Sequence, residues 1–179
     1  MKSLIPKILL GSLVLTAVAS EGELRTIPAL DVPRYMGTWY EIAKYPNRFQ
    51  KKCVKDTRAD YALLAHGSLQ VTNRCTLDSG EVDVVVGAGR QVGDARSPKL
   101  EVRFAPEWLS FIPWVWGNYW VIDLDPEYQL VAVSEPKREY LWILARTPTV
   151  NPRAYEELVA RLEKQGLDAR KIVLTRQQN

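Results

Sequence analysis

The residues of this chain offer few routes to nucleophilic or metal chemistry. Among its 179 residues are one histidine, His66, and two cysteines, Cys53 and Cys75. The sequence contains no Ser-His-acid order, Gly-rich phosphate loop or His-Glu-x-x-His motif. Because structural zinc takes about four such ligands, carboxylates would have to complete any tetrahedral site. We therefore expect no metal site and no cofactor.

Two residues could still support an enzyme. Glu41 has the same strand parity as Trp39 and could point inward, where a carboxylate can act as a general acid or base. Cys53 lies beside Lys51 and Lys52, and a free thiol next to cations is activated. We interpret Glu41 instead as a polar ligand contact or a structural hydrogen-bonding residue. An enzyme acting on a lipid therefore stays an alternative to a non-catalytic binding protein.

Length and composition describe one globular domain. The chain is 46% apolar and 25% charged, which argues against disorder. A chain of this length buries roughly two-thirds of its unfolded surface. Lys2 and Lys7 account for two of the three net positive charges, so the remainder gives no reason to expect a nucleic-acid partner.

The first nineteen residues resemble a secretory signal peptide. Two lysines precede an apolar run over residues 8–18, and Ala17-Val18-Ala19 suits cleavage before Ser20. An uncleaved membrane anchor is the alternative, although the run is shorter than a membrane-spanning helix requires. No cysteine stands at the cleavage point, and we expect no N-terminal lipid anchor. Residues 1–19 are thus predicted to direct export and residues 20–179 to form the mature domain.

Strand-like segments occupy the chain from Gly37 to Arg146. Segments rich in Val, Tyr, Trp, Leu and Thr are separated by turn signals. We predict eight strands, beginning near Thr38, Lys55, Ser68, Glu81, Ser97, Gly117, Tyr128 and Glu139. All connections except the one after Phe104 are short enough for hairpins. The predicted fold is therefore an all-β, eight-stranded, up-and-down antiparallel barrel with room for one small ligand.

The C-terminal section has helical periodicity. Asn151 can cap a helix, Pro152 suits its first turn and Gly166 can end it. An apolar stripe of helical spacing comprises Tyr155, Leu158, Val159 and Leu162. We expect this helix to pack outside the barrel, with a partner-binding helix as the alternative. Residues 171–176 could add a short last strand.

Three motifs together resemble the lipocalin signature. They are Gly37-Thr38-Trp39-Tyr40-Glu41 opening the first strand, Leu124-Asp125-Pro126-Glu127-Tyr128 at the sixth-to-seventh turn, and Arg146 closing the eighth strand. Pro126-Glu127 departs from the family's more usual pair. The amino-acid sequence from about Asp31 onward is most similar to those of bacterial lipocalins of the outer-membrane lipoprotein type and of apolipoprotein D. The resemblance implies that Gly37, Trp39, Tyr128 and Arg146 are structural, with Arg146 stacked over Trp39 at the closed end.

The resemblance also implies a small apolar ligand inside the barrel. In the bacterial branch of the family, fatty acids and lysophospholipids are the associated ligands. The candidate ligand-binding residues are Glu41, Ala59, Tyr61, Leu63, Val71, Val84, Val86, Val102, Phe104 and Tyr119. Ordinary core packing of these side chains is one alternative. A carrier of a tetrapyrrole or other pigment is another, although His66 lies in a predicted turn at the closed end.

Two connections at the open end carry candidate contact residues. The first, residues 44–52, contains Arg48, Lys51 and Lys52, which could hold a phosphate or carboxylate head group or could be a solvated basic loop. The other, residues 105–115, is here called the Trp-rich loop and contains Trp108, Phe111 and Trp114. So apolar a loop is costly to leave in water.

The Trp-rich loop has several conceivable partners. It could be a lid over the cavity, a homodimer contact, a wedge into a membrane surface, or part of the core; a pure interaction module would use it as its interface. We hypothesise that it is the entry gate and the membrane-facing edge, because Trp is favoured at the water boundary of a bilayer.

The two cysteines lie toward the open end in the predicted topology. A flush hairpin centred on His66-Gly67 would place residue 80, not Cys75, opposite Cys53, so a bulge is needed to bring the thiols together. In an oxidising compartment we expect the disulfide, with two free thiols as the alternative. The sequence thus predicts an exported, non-catalytic carrier in the periplasm or cell envelope that faces the outer membrane and supports membrane maintenance.

Overall fold

The computed structural model describes residues 22–178 as a single nine-stranded sheet with two α-helices. Residues 1–19, which we predict to be a signal peptide, lie outside the described residues. The strands are β1 Gly37–Lys44, β2 Cys53–Leu63, β3 Leu69–Leu77, β4 Val82–Gln91, β5 Lys99–Arg103, β6 Gly117–Leu124, β7 Leu130–Ser134, β8 Leu141–Ala145 and β9 Val173–Leu174. The helices are α1 Val32–Tyr35 and α2 Pro152–Glu163. Within residues 22–178, no helix combines the length and hydropathy that crossing a bilayer requires.

The first eight strands close into an antiparallel barrel. Each pairs with the next along the chain, and β1 pairs with both β2 and β8. Every predicted strand start lies within two residues of an observed one. The predicted fold class is confirmed, and closure leaves the connections after β1, β3, β5 and β7 together at the open end.

Pairing is uneven around the barrel wall. β3 pairs with β4 along nearly the whole of both strands, from Leu69 opposite Gly89 to Thr76 opposite Val82. The register between β4 and β5 runs only from Ala88 to Gln91 on the β4 side. The half of β4 nearer the open end is therefore paired on one side.

The C-terminal segment, residues 173–178, completes the wall where β1 and β2 separate. β1 pairs with β2 only through residues 37–40, and beyond them it pairs with β9. The Thr175 amide donates to the Ile42 carbonyl at 2.9 Å, and the Asp56 amide donates to the Arg176 carbonyl at 2.8 Å. The tail thus bridges two strands that do not bond to each other there.

Helix α2 covers the outside of the barrel, as predicted. The Asn151 side chain accepts hydrogen bonds from the Arg153 and Ala154 amides and so caps the first turn. Leu158 and Leu162 are buried in a second apolar cluster, together with Ile143 of β8. This cluster lies on the opposite face of the sheet from the barrel interior.

Helix α1 crosses the closed end and was not predicted. Asp31 caps it by accepting from the Arg34 amide, and Pro33 lies in its first turn. Four residues are too few to show helical periodicity in a sequence. Its burial of Val32 and Tyr35 closes the floor of the barrel.

Candidate ligand-binding site in the barrel

Strand register identifies the side chains that face the interior. Residues opposite each other on neighbouring strands point to the same side of a sheet, and the fully buried Trp39 lies opposite Ala59. By the same rule Tyr61 shares a face with Val71, and Tyr119 with Leu100. The predicted residues on the inner face are therefore Ala59, Tyr61, Val71, Val102 and Tyr119.

The prediction that the side chains of Val84 and Val86 face the barrel interior is wrong. Val84 lies opposite Arg74 and Val86 opposite Thr72, which puts both valines on the outer wall, where they are exposed. The inward residue is Val85, opposite Asn73. Three consecutive valines contain no alternation, so the sequence pattern did not distinguish the two faces.

Leu63 is also displaced from its predicted place in the pocket. It lies opposite Leu69, beyond Tyr61 toward the closed end, and its side chain is exposed. Leu63 has the strand parity of the inward-facing Tyr61, but it is the last residue of β2. Leu63 therefore belongs to the closed-end rim rather than to the cavity.

The upper interior is open to solvent. The Phe104 ring lies against Gly87, where a Cβ atom would come within 2.6 Å of the ring. Although both face inward, Val85 is 39% exposed and Phe104 41% exposed. Their exposure shows accessible apolar surface inside the barrel near its open end.

The floor of the interior is a cluster of three tyrosines, here called the tyrosine triad. The Tyr119 hydroxyl shares hydrogen bonds with those of Tyr35, at 2.7 Å, and Tyr61, at 2.9 Å. Burial raises the pKa of Tyr61 to about 12 and raises those of Tyr35 and Tyr119 well above the usual phenol value. The sequence did not predict the triad, because its members are far apart in the chain and only the fold brings them together.

At the closed end, Arg146 stacks over Trp39 with 3.9 Å between the guanidinium carbon and the ring centroid. The guanidinium also donates to the carbonyls of Thr38 at 3.0 Å and of Tyr128 at 3.3 Å. Gly37 has a φ of +97°, and a Cβ atom there would lie 3.3 Å from the same guanidinium. The four signature residues thus meet in one structural cluster remote from the open end.

Glu41 is buried within a polar cluster on the β1 side of the barrel. Its carboxylate forms an ion pair with Lys44 at 2.8 Å and accepts from Gln50 and from the Thr175 hydroxyl, both at 2.5 Å. The Gln50 side-chain oxygen accepts in turn from the Trp142 indole at 3.0 Å. A bulge in β1 between Glu41 and Ala43 is what turns Lys44 toward this carboxylate.

The predicted disulfide between Cys53 and Cys75 is confirmed, with 5.5 Å between their Cα atoms. Register shifts interrupt the β2–β3 pairing between Cys53 and Lys55 and again between Lys55 and Arg58. These shifts supply the bulge that a flush hairpin lacked. The bond joins the first connection to the barrel wall, and Cys53 is not available as a nucleophile.

The cations of the first connection fall into two groups. Lys44 is paired with Glu41, and Lys52 is paired with Asp83 at 2.8 Å. Arg48 and Lys51 are exposed and form no ion pair with any residue in the range 22–178. A head group at the mouth would therefore meet these two cations first.

The Trp-rich loop is anchored at its base and exposed at its tip. The Trp116 ring, just beyond the loop, lies beneath the Arg90 guanidinium at 4.2 Å, and its indole donates to the Ser110 carbonyl at 2.9 Å. Trp108 is 72%, Phe111 78% and Trp114 84% exposed. These exposures contradict the alternative in which the three aromatic side chains pack in the core.

An up-and-down barrel with one open end and an accessible apolar interior defines a class of small-ligand binding proteins. A family model described as a Lipocalin-like domain matches residues 30–177. The chain belongs to the lipocalin family, whose members bind small hydrophobic ligands.

Relatives of known name cover most of the chain. It is 41% identical to temperature-induced lipocalin-1 of Arabidopsis thaliana, over 87% of this chain and 83% of that protein. Outer membrane lipoprotein Blc of Escherichia coli K12 is 38% identical, over 82% and 79% of the two chains. Apolipoprotein D of Mus musculus is 32% identical, over 83% and 78%. The predicted resemblance is confirmed.

Solved structures agree on the fold. Insecticyanin from the tobacco hornworm Manduca sexta superimposes with a TM-score of 0.67 at 19% identity, over 86% of this chain and 84% of that one. Apocrustacyanin C2 gives a TM-score of 0.64 at 13% identity, over 83% and 81%. At these identities the likeness concerns the barrel architecture alone.

Proposed function

We propose that this chain carries a fatty acid or a lysophospholipid in its barrel, for storage or transport within the cell envelope. The observation that carries the proposal is the composition of the open end. Accessible apolar surface at Val85 and Phe104 lies inside. The exposed cations Arg48 and Lys51, which have no ion-pair partner among residues 22–178, belong to a connection at the mouth. Each buried methylene of an acyl chain contributes roughly 0.8 kcal/mol, and the cations suit a phosphate or carboxylate.

The state of two side chains supports a non-catalytic role. Cys53 is held in a disulfide, and the Glu41 carboxylate is engaged by Lys44, Gln50 and Thr175. Both residues that could have performed chemistry are thus occupied in holding the barrel together.

We further propose that the Trp-rich loop inserts into a membrane surface during ligand exchange. Phe49, in the first connection, is exposed beside Arg48, whose guanidinium lies 5.0 Å from its ring centroid. Aromatic side chains are favoured at the bilayer interface, and each nearby cation adds about 1 kcal/mol of attraction to an anionic surface. Exposed aromatic and cationic side chains on two connections of the open end are what such a surface would bind.

Export is part of the proposal. It is supported by the signal-like residues 1–19, by the disulfide, and by the likeness to a relative named as an outer membrane lipoprotein. We place the protein in the periplasm or envelope, facing the outer membrane, where a lipid carrier would support membrane maintenance.

Native mass spectrometry of protein purified from an exporting cell tests the ligand class. We expect a retained fatty acid or lysophospholipid, and the polypeptide mass to show cleavage before Ser20. An absorbing pigment in its place would contradict the lipid assignment and support a pigment carrier.

Vesicle co-sedimentation tests the membrane contact. The triple substitution Trp108→Ser, Phe111→Ser and Trp114→Ser should abolish binding to both neutral and anionic vesicles, because it removes the inserting side chains. The double substitution Arg48→Gln and Lys51→Gln should weaken binding to anionic vesicles by roughly 30-fold, at about 1 kcal/mol per charge, and leave neutral vesicles unaffected.

Matched substitutions at the other end of the barrel are the controls. Leu64→Ser with Val92→Ser removes exposed apolar side chains at the closed end. Arg96→Gln with Arg153→Gln removes one exposed charge from the closed-end connection after β4 and one from the first turn of α2, which follows the closed end of β8. Both controls should bind vesicles like the parent. Unchanged binding by the triple Ser variant would overturn the membrane contact and direct attention to a homodimer, measured by sedimentation.

A further inference from the structure

The tyrosine triad contains more donor protons than hydrogen bonds. Each neutral phenol carries one proton, so Tyr35, Tyr61 and Tyr119 carry three, whereas their two oxygen–oxygen contacts use two. Whichever way the protons are arranged, one O–H group donates to neither of the others. Among residues 22–178 the three hydroxyls make no other hydrogen bond. One buried donor therefore needs an acceptor from outside the described chain.

Two of the three tyrosines lie on the inner face of the barrel. Tyr61 and Tyr119 retain 8% and 9% of their accessible surface, whereas Tyr35 retains 1%. Tyr61 and Tyr119 share the buried cluster with Ala59 and Val71, which offer no side-chain acceptor. Because a buried donor without an acceptor is destabilising, a molecule that fills the interior is favoured if it brings an oxygen to this floor.

We propose that the tyrosine triad is a subsite for an acceptor oxygen at the inner end of an apolar ligand. This inference rests on the proposed function, since it needs a lipid in the barrel. The oxygen belongs to a hydroxyl, carbonyl or carboxylate group and accepts a hydrogen bond from the phenol O–H group that has no partner within the triad. A plain hydrocarbon end leaves that proton unpaired.

Two sources of lipid supply this chemistry. A fatty acid that enters carboxylate first places its own oxygens on the triad. An acyl chain that enters tail first does so only when its far end is oxygenated, and the head group then stays near Arg48 and Lys51. Burial keeps all three phenols protonated at neutral pH, so the donor is present in both cases.

Binding of matched lipids to matched variants tests the subsite. The probes are palmitic acid and a series of ω-hydroxy fatty acids of about 12 to 18 carbons, because the depth of the barrel selects one length. The variant Tyr35→Phe, Tyr61→Phe, Tyr119→Phe has no hydroxyl at the floor. Tyr155→Phe is the control, because it removes a phenol hydroxyl from α2, on the outside of the barrel, and leaves the triad intact.

Two results support the subsite and distinguish the sources. If the oxygen is on the chain end, one ω-hydroxy acid binds the parent and the control about 2- to 12-fold more tightly than the triple variant, the range for one neutral hydrogen bond. Palmitic acid then binds all three proteins equally. If the carboxylate enters first, palmitic acid itself loses at least this factor in the triple variant and keeps its affinity in the control.

Two other results overturn it. Equal affinities of every acid for the parent and the triple variant would show that the surplus proton serves water only, while the proposed lipid carrier would stand. No binding of any acid to the parent would overturn the subsite and the fatty-acid form of the proposed function together.

Discussion

Arg146 joins four segments of chain through one side chain. Its guanidinium donates to the carbonyls of Arg34 and Tyr35 in α1, of Thr38 in β1 and of Tyr128 in the β6–β7 turn. A planar, five-donor group makes these bonds while its face lies on a ring, and an ammonium group does not.

Arg146→Lys should therefore be strongly destabilising. We expect the free energy of unfolding to fall by about 2–4 kcal/mol, since several charge-assisted hydrogen bonds and the stacking over Trp39 are lost together. Urea denaturation measures the change. Arg153→Lys is the control, because its ion pair with Glu157 is exposed and contributes at most about 0.5 kcal/mol. Equal stabilities of the two variants would contradict this role for Arg146.

Because of Tyr61, the free energy of unfolding depends on pH in the alkaline range. Its pKa of about 12 in the folded protein exceeds the usual phenol value near 10. As the pH rises from 10 to 12, the unfolded state loses the proton and the folded state keeps it, so the free energy of unfolding falls. The loss attributable to Tyr61 is on the order of 2 kcal/mol.

Comparing the parent with Tyr61→Phe isolates this contribution. Urea denaturation at pH 8 and pH 11.5 should show a smaller alkaline loss of stability in the variant, which has no phenol proton at this position. A parallel loss in both proteins would show that the alkaline sensitivity arises elsewhere.

Single residues differed in how far the sequence could place them. Trp39 and Arg146 belong to motifs whose spacing defines the closed end, so their positions followed from strand order. Val85 could not be distinguished from its neighbours, because residues 84–86 are all valine and contain no polar residue that marks the outer face. The tyrosine triad depends on three-dimensional convergence, which no local pattern encodes.

At the scale of elements, the C-terminal segment acts as part of the barrel wall. The Gln177 amide group donates to the carbonyl of Glu41 in β1 and to that of Thr57 in β2, both at 2.8 Å. One side chain thus supplies the link that the two strands lack over this stretch. The sequence predicted a short last strand here but not its partner strands.

Adjacent glutamines provide a matched test of this role. Gln177→Ala should lower the free energy of unfolding by about 1–3 kcal/mol, because two backbone acceptors lose their donor. The exposed Gln178 bonds through its side chain to Lys55 at the surface, and Gln178→Ala should change stability by less than about 0.5 kcal/mol. Urea denaturation of both variants decides. Similar values for the two would show that the tail is not structural.

Among the elements, the sequence predicted those with strong local signals. The strands followed from alternation and turn residues, and α2 followed from its cap, proline and apolar stripe. Helix α1 is shorter than the periodicity that would identify it. The bulge in β1 that turns Lys44 toward Glu41 is set by pairing with β8, so a single strand's sequence does not reveal it.

For the whole molecule, the two sides of the mouth differ in how they are held. On one side, the Cys53–Cys75 disulfide and the C-terminal segment fix β1, β2 and β3 to one another. On the other, residues 82–87 of β4 have no strand partner on the β5 side within the described part of the chain. Local opening is easiest where backbone pairing and buried contacts are sparse.

Amide hydrogen exchange should record this difference. We expect amides of the Trp-rich loop and of residues 82–87 that point away from β3 to exchange about 100-fold or more faster than those in the paired core of β2. Uniform protection around the mouth would contradict the expectation. Lipid binding should slow amide exchange most on the side of the mouth formed by residues 82–87 of β4.

The half-paired stretch of β4 gives the barrel a preferred direction of deformation. A wall with fewer cross-links is more compliant, so the strain of widening the mouth for an entering molecule falls on β4 and β5 rather than on the disulfide-linked strands. The Trp-rich loop follows β5 directly. A lipid arriving from a surface bound by that loop would therefore meet the softer wall first, and the rigid wall would keep the shape of the cavity while it fills.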